Sequence, residues 1–513
     1  MVNLSNSIPK IIYAGQGGNA KWVATKLSEA LGIANIHHTL LACNSLNTMT
    51  LSQERQVVFV ISTQGEGEPP DNARALFSYL QSKKNYSLSQ LKFSVFSLGD
   101  KSYPLFAKAG NDAAELLLSR GAKQIEPTTQ ADTDYIKIVP EWIARQCSFL
   151  SDGVLSAASS YTIPNLHREI RSVALPILEV HDLCDYQSSK KVIHVALDNT
   201  EAQLAYQPGD SLLIDIHTPF HLLENIASYF SDSTTELTNT LHSKEIMRTH
   251  GTAINQYQKI NGYSLSQFSE KQLDNIDWMR ILTTYPPRNM SFKQFIELLP
   301  NKSERLYSIS SSPNYHVGEI HLTIRQFTRG TLYGRGLGSS YYSEYQDACS
   351  VTIKPNESFR LPEDETVPLI LISAGTGLAP FRGFIFELIA RQKNNKVWLF
   401  FGEQTRHTNF LYQKDLLEWL DTRPGDKLSV SFSRDVIAQG YIDSQIINNG
   451  KEILSWIEQG AKLFLCGSKS TLAVSVEQSI KKIYQQHKSL STEMAEEAYN
   501  LLLTNGVLVR DVY

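Results

Sequence analysis

Val57-Val58-Phe59-Val60-Ile61-Ser62-Thr63-Gln64-Gly65-Glu66-Gly67-Glu68-Pro69-Pro70 decides the fold of the first part of this chain. The apolar run has no polar alternation, as a parallel strand buried on both faces requires. It stops abruptly at a polar, glycine-rich loop. On either side the pattern repeats. Lys10–Ala14 leads into Gly15-Gln16-Gly17-Gly18-Asn19-Ala20, and Phe93–Leu98 leads into Gly99-Asp100-Lys101-Ser102-Tyr103. Between them, Lys21–Leu31 places Trp22, Val23, Leu27, Ala30 and Leu31 on one helical face, with Gly32 able to cap the end. Successive strand–loop–helix units predict a doubly wound sheet over residues 8–147, with its ligand at the carboxyl ends of the strands.

The three loops have the composition of a flavin mononucleotide (FMN) site. Gln16, Gly17, Gly18, Asn19 and Ala20 open a helix and offer backbone N–H groups and a positive dipole end to a phosphate. Ser62, Thr63, Gln64, Gly65, Glu66 and Gly67 form one wall for the ring, and Leu98, Gly99, Asp100 and Tyr103 form the other, with Tyr103 as the stacking partner. Asp132 sits near the ring edge. Glu66, Glu68, Asp71, Asp100, Asp132 and Asp134 share this face. They read equally as an acidic rim that steers a basic partner and as solvated loop residues with Asp at helix starts.

Residues 148–168 are small and polar and read as a linker. β-patterned segments follow (Lys191–Leu197, Ser211–Ile216, Glu319–Arg325), interrupted over about 219–300 by helical spacing without strands. Residues 169–362 are therefore expected to form one β-rich domain with a helical insertion. From 363 to 513 strand and helix alternate again, with strands expected at 367–373, 396–402, 427–433 and 462–466.

This second half carries its own phosphate chemistry. In Arg305-Leu306-Tyr307-Ser308, Arg305 can neutralise a pyrophosphate, Tyr307 can cover a ring, and Ser308 can hydrogen-bond the ring nitrogen that accepts a hydride. Gly336, Gly338, Ser339 and Ser340 supply small residues and a helix start. Gly375, Thr376 and Gly377, followed by Pro380, let the backbone approach a nucleotide before a helix begins. Ser433-Arg434 follows a strand, and Arg suits a phosphate fork. Cys466 ends another strand, and the sequence finishes Arg510-Asp511-Val512-Tyr513.

Together these motifs resemble the diflavin reductase family, in its bacterial assimilatory sulfite reductase branch. The resemblance spans residues 10–513 and is weakest over 219–300. It implies an α/β multidomain protein: a flavodoxin-like domain, then a ferredoxin–NADP reductase-like module. That module combines an antiparallel β-barrel FAD domain with a helical insertion and a Rossmann-like NADP domain. The implied cofactors are FMN, FAD and NADPH, and the implied partner is a haem-containing electron acceptor, the sulfite reductase haemoprotein. The resemblance makes Ser308, Cys466, Asp511 and Tyr513 the hydride-transfer residues, with Tyr513 stacked on the FAD ring. It gives Ser433, Arg434 and Tyr441 to the NADPH 2′-phosphate region.

The sequence departs from the family at Gly15 and Gly17, where hydroxyl side chains help hold the FMN phosphate. It departs again at Gln439 and Asp443, near the 2′-phosphate, and at Ser468, where Asp is usual. Weaker FMN retention is the expected consequence of the first. An N-terminal extension that the resemblance ties to oligomer assembly is expected to be missing, so the resemblance does not decide the oligomeric state. Two other readings stand beside this one: a diflavin reductase for another haem or cobalamin acceptor, and a non-catalytic protein with degenerate flavin loops.

Composition sets the outer limits. The 513 residues have room for several domains, and 42% hydrophobic with 19% charged residues is ordinary globular composition. A net charge of −4 gives no basic field for nucleic acid or anionic lipid. The five cysteines, at 43, 147, 184, 349 and 466, form no CxxC pair, so neither a metal site nor a disulfide framework is expected. No apolar run reaches the roughly 18 residues of a membrane span, and the polar start, Met1 to Pro9, has no signal core. A cytoplasmic protein without a membrane anchor is expected.

Overall fold

The computed structural model describes residues 8–15, 17–64, 67–82, 86–101, 105–152, 161–162, 164, 172–215, 218, 220–246, 249, 251–264, 276–302, 305–326, 348–435 and 440–513. Gln16, Gly65, Glu66, Tyr103, Gly336, Gly338, Ser339, Ser340, Gln439 and most of the expected linker lie outside them.

Three sheets organise the chain. The first is built from β1 (Lys10–Ala14), β2 (Thr39–Ala42), β3 (Gln56–Ser62), β4 (Lys92–Leu98), β5 (Lys123–Gln124) and β6 (Thr129–Ala131). Its order is β2-β1-β3-β4-β5, with β6 also on β4, and every pairing is parallel. The unbroken apolar runs are explained by burial on both faces. Val57, Phe59 and Ile61 of β3 enter one core, while Val58 and Val60 enter the other. The second core also takes Val23, Leu27 and Leu31 from helix Asn19–Ile33 and Trp142 from helix Val139–Asp152.

The second sheet contains β7 (Val173–Asp182), β8 (Lys191–Asp198), β9 (Ser211–Asp215), β10 (Arg305–Ser308), β11 (Glu319–Gln326) and β12 (Ala348–Lys354). The strands pair antiparallel in the order β10-β9-β12-β7-β8-β11. An extra bridge from Ile309 to Leu322 joins the two ends, so the sheet curls into a barrel around Val195, Leu197, Leu212 and Leu322. A helical block lies between β9 and β10, over Phe220–Ala227, Thr235–Thr240, Gly251–Asn261, Trp278–Thr284 and Phe292–Leu298. It has its own core of Tyr257, Trp278, Phe292 and Phe295. Ser291 and Gln294 form a reciprocal cap on its last helix.

The third sheet comprises β13 (Leu369–Ala374), β14 (Val397–Glu403), β15 (Lys427–Phe432), β16 (Lys462–Gly467) and β17 (Leu508–Val512). It is fully parallel in the order β15-β14-β13-β16-β17. Here too alternate residues part: Ile370 and Ile372 face one core, Leu369 and Leu371 the other. β17 closes the sheet beside β16, which places the final residues of the chain at the carboxyl ends of the central strands.

Candidate active site

At the first sheet, the loops after β3, β4 and β6 are stitched side by side. Thr63 N donates to Leu98 O at 2.8 Å, Gly99 N to Ala131 O at 2.9 Å, and Lys101 N to Asp132 Oδ1 at 3.1 Å. Ala109 N donates to Thr63 Oγ1 at 3.2 Å, which ties the next helix to the same loop. Gly18 turns the chain with a φ of 75°, a conformation that favours glycine, and starts helix Asn19–Ile33. No side chain caps that helix and no acidic residue stands in its first turn to compete for its amide N–H groups. This donor set fits a phosphate. Asn72 spans the turn, accepting from Gly15 N at 3.1 Å.

The second site is assembled between sheets. Asp511 on β17 stands beside Cys466 at the end of β16. Ser308, the last residue of β10 in the barrel, donates from Oγ to Asp511 Oδ2 at 3.2 Å. The Cys466 thiol is fully buried, and burial first, then the Asp511 charge, push its pKa well above the ordinary thiol value. Burial likewise raises the Asp511 carboxyl, with the Ser308 hydrogen bond opposing it. A protonated thiol, a hydroxyl and a poorly solvated carboxyl thus meet at one point.

The nucleotide loop touches the same point. A Cβ on Gly377 would sit 2.1 Å from the Cys466 carbonyl oxygen, so only glycine allows the loop to close on β16. Pro380 stands in the first turn of helix Ala379–Ala390. Thr376 Oγ1 and the Tyr513 hydroxyl are 2.8 Å apart. The backbone of Tyr513 is held at both ends: its N donates to Gly467 O at 3.1 Å, and its O accepts from Lys469 N at 2.9 Å. Chain ends usually lack such ties. The Tyr513 side of this anchored residue is exposed (65%).

Around this centre lie the remaining sequence candidates. Arg305 is half exposed and pairs with Glu245 at 3.3 Å, and Tyr307 follows on the same strand. Ser433 N donates to Glu403 O at 3.0 Å and Arg434 N to Gln404 O at 2.7 Å, leaving the Arg434 side chain exposed. Tyr441 is also exposed. The donors present fit a dinucleotide: small residues at the 375 loop and cations at the strand ends.

Two cations had no signal in the sequence. Lys190, at the start of β8 in the barrel, pairs with Glu403 of β14, and its Nζ would be 3.1 Å from a Cβ on Gly375. Arg406 opens a short helix whose N–H contacts Asp435 at 3.2 Å, beside Ser433 and Arg434. Both gain meaning only from tertiary neighbours.

The flavodoxin family pattern matches residues 11–140, and that of the oxidoreductase NAD-binding domain matches residues 371–478. Over its length the chain is similar to sulfite reductase [NADPH] flavoprotein alpha-components. It is 30% identical to that of Buchnera aphidicola (Schizaphis graminum strain), covering 98% of this chain and 88% of the relative. It is 31% identical to that of Vibrio cholerae strain O395 (98% and 87%) and 28% identical to that of Bacillus subtilis (98% and 89%). The chain belongs to the sulfite reductase flavoprotein alpha-component family. Family membership accounts for the order of the three sheets, with a flavodoxin domain ahead of a reductase module. No helix among the described residues is long and apolar enough to cross a membrane, and no group of His, Cys, Asp and Glu among them could hold a metal.

Proposed function

We propose that this chain is a diflavin NADPH reductase whose first domain, residues 8–147, holds FMN, whose barrel domain, 169–362, holds FAD, and whose last domain, 363–513, binds NADPH. Its acceptor is the haemoprotein that contains the sulfite-reducing centre, in the cytoplasm. Bound in these domains, FAD and FMN would supply the chemistry that converts a two-electron hydride into single electrons.

The residues divide the remaining work. Gly17, Gly18 and Asn19 bind the FMN phosphate; Arg305 neutralises the FAD pyrophosphate and Tyr307 covers its ring. Lys190 and the 375–377 loop receive the nicotinamide dinucleotide, and Arg434 grips its 2′-phosphate. Ser308 orients the hydride acceptor, Asp511 accepts from the Ser308 hydroxyl, and the buried Cys466 thiol holds a proton beside them. Tyr513 screens the ring from water.

The observation that carries this reading is the meeting of Ser308 from the barrel with Asp511 and Cys466 from the nucleotide domain. The purified chain is expected to reduce cytochrome c with NADPH, and to retain the haemoprotein on co-purification. Catalytic efficiency with NADH equal to that with NADPH removes the 2′-phosphate assignment. Reduction of cytochrome c without any capture of the haemoprotein moves the reading to another haem or cobalamin acceptor.

A further inference from the structure

Among the described residues, two ion pairs cross from the first domain to the third: one ends on β17, the strand that carries Asp511, and the other on the turn after β16 that ties down Tyr513. Arg510 Nε donates to Asp71 Oδ2 at 2.8 Å, and Arg510 Nη2 also engages Asp71 Oδ1, so the guanidinium forks onto both carboxylate oxygens. Arg74 Nε adds a donor to Oδ1 at 3.0 Å, and the Tyr499 hydroxyl lies 3.5 Å from Arg510 Nη1. The Arg510 side chain is 4% exposed and that of Asp71 15% exposed, so the pair lies within the contact and not on its rim. Burial alone would raise the Asp71 pKa; Arg510 and Arg74 hold it below the ordinary carboxylate value. The second pair joins Glu68 to Lys469, whose backbone N–H holds the Tyr513 carbonyl.

The geometry has a consequence for the reaction. Side chains alternate along a strand, so on β17 Arg510 turns toward the first domain while Asp511 turns toward Ser308. In the first domain, Asn72 sits next to Asp71 and binds the backbone of Gly15 in the phosphate loop. Residues 71 and 72 therefore hold the FMN loop with one side chain and the hydride-site strand with the other.

We infer that Asp71 is a positioning residue for hydride transfer: by gripping Arg510 from the FMN domain, it sets the strand that presents Asp511 and Tyr513. The reducing site is then complete only while the two domains are in contact, and departure of the FMN domain slows further hydride uptake. This also assigns Glu68 and Asp71, two members of the acidic face, to a contact inside the molecule.

The inference rests on the diflavin reading, and the test separates the two. In the full-length protein loaded with both flavins, Asp71→Asn keeps the shape and removes the charge. Expected are a larger radius of gyration by small-angle X-ray scattering and single-turnover FAD reduction by NADPH slower by about threefold or more. Asp71→Glu, which keeps the charge, recovers both in part. Hydride transfer at the wild-type rate, or slowed without expansion, overturns the inference. If Asp71→Asn does not fold, Lys469→Gln breaks the second pair and must shift both readouts in the same direction. Wild-type protein that holds both flavins yet is not reduced by NADPH brings down the underlying reading instead.

Discussion

In the first domain the loops of the proposed FMN site leave neighbouring strands of one parallel sheet, and the helix after the first loop offers uncapped backbone N–H groups. In the second half the proposed hydride site draws Ser308 from a barrel strand and Cys466 and Asp511, with Tyr513 following, from a different sheet, and it is built of side chains. A site made of backbone is fixed as soon as its sheet forms. A site made across a seam exists only while two folded units stay in register, and everything that stabilises the seam becomes part of the active site. The two regions should therefore fail differently.

Acid should expose the largest difference. The seam between barrel and nucleotide domain encloses His194, His316 and His321, packed with Arg382, Tyr412, Glu319, Glu387 and Asp415, and the exposed His181 stacks on His194. Burial, with help from Arg382 and the neighbouring imidazoles, lowers His194 to about 3, His316 to about 4 and His321 to about 2. The folded seam therefore keeps these rings neutral, whereas the unfolded chain protonates them near their ordinary pKa of about 6.5. Above that pH they do not penalise folding. As pH falls through about 6.5 toward 4, the unfolded state takes up more protons and stability falls by several kcal/mol. The second half should lose structure, and FAD, before the first half loses FMN; separate flavin release curves against pH check this, and simultaneous release contradicts it.

The next largest effect lies at the seam itself. Asp511→Asn removes the carboxyl that Ser308 contacts and should slow hydride transfer about 100-fold, with FMN content unchanged. Stopped-flow reduction of FAD measures the first and flavin extraction the second. The substitution also tests linkage. Because burial raises the Asp511 pKa, the folded state binds more protons than the unfolded one above the ordinary carboxylate value. Wild-type stability thus loses ground as pH rises through that window, and the Asn variant lacks that part of the slope.

Smaller again is the cost at the nucleotide rim. Arg434 is exposed, and its backbone N–H donates to Gln404 O at 2.7 Å. Arg434→Ala should lower the NADPH-over-NADH preference by about tenfold, the loss of one charge-assisted contact. A much smaller change would identify Arg406, whose backbone N–H donates to Asp435 at 3.2 Å, as the main phosphate cation.

These differences also explain what the sequence disclosed. Elements of the parallel sheets were legible because β3, β4, β13 and β16 are short apolar runs between loop signals, a local pattern. The helical block between β9 and β10 showed in its spacing, yet its bounds did not, since its helices are short and begin on local caps such as Asp277 and Ser291. Lys190 and Arg406 were not legible. A lysine at a strand start and an arginine after a threonine carry no mark of their ligand; their positions follow from how the barrel meets the nucleotide domain. Arg510 is similar. It could be read only as part of a terminal motif, while its partner Asp71 lies in another domain.

The smallest effect concerns the phosphate loop, where the backbone-built site can be sharpened. The surroundings of Gly15 and Gly17, the two positions where the resemblance implies hydroxyl residues, differ. A Cβ on Gly15 would lie 3.0 Å from Ser62 Oγ and 3.3 Å from the Ala20 Cβ, so a side chain there needs those neighbours to give by a few tenths of an ångström. A Cβ on Gly17 meets nothing within 4 Å, and Gly17 is not in the left-handed region. Gly17→Thr therefore adds a hydroxyl beside the helix N-terminus without strain, and one added hydrogen bond is worth about 1 kcal/mol. FMN should dissociate about fivefold more slowly on dialysis, with FAD content and hydride transfer unchanged. Gly15→Ser should instead weaken FMN binding, because the steric cost at Ser62 exceeds the gain. If both substitutions tighten FMN alike, the loop is softer than its packing indicates, and the contrast between a rigid backbone site and an adjustable seam has to be redrawn.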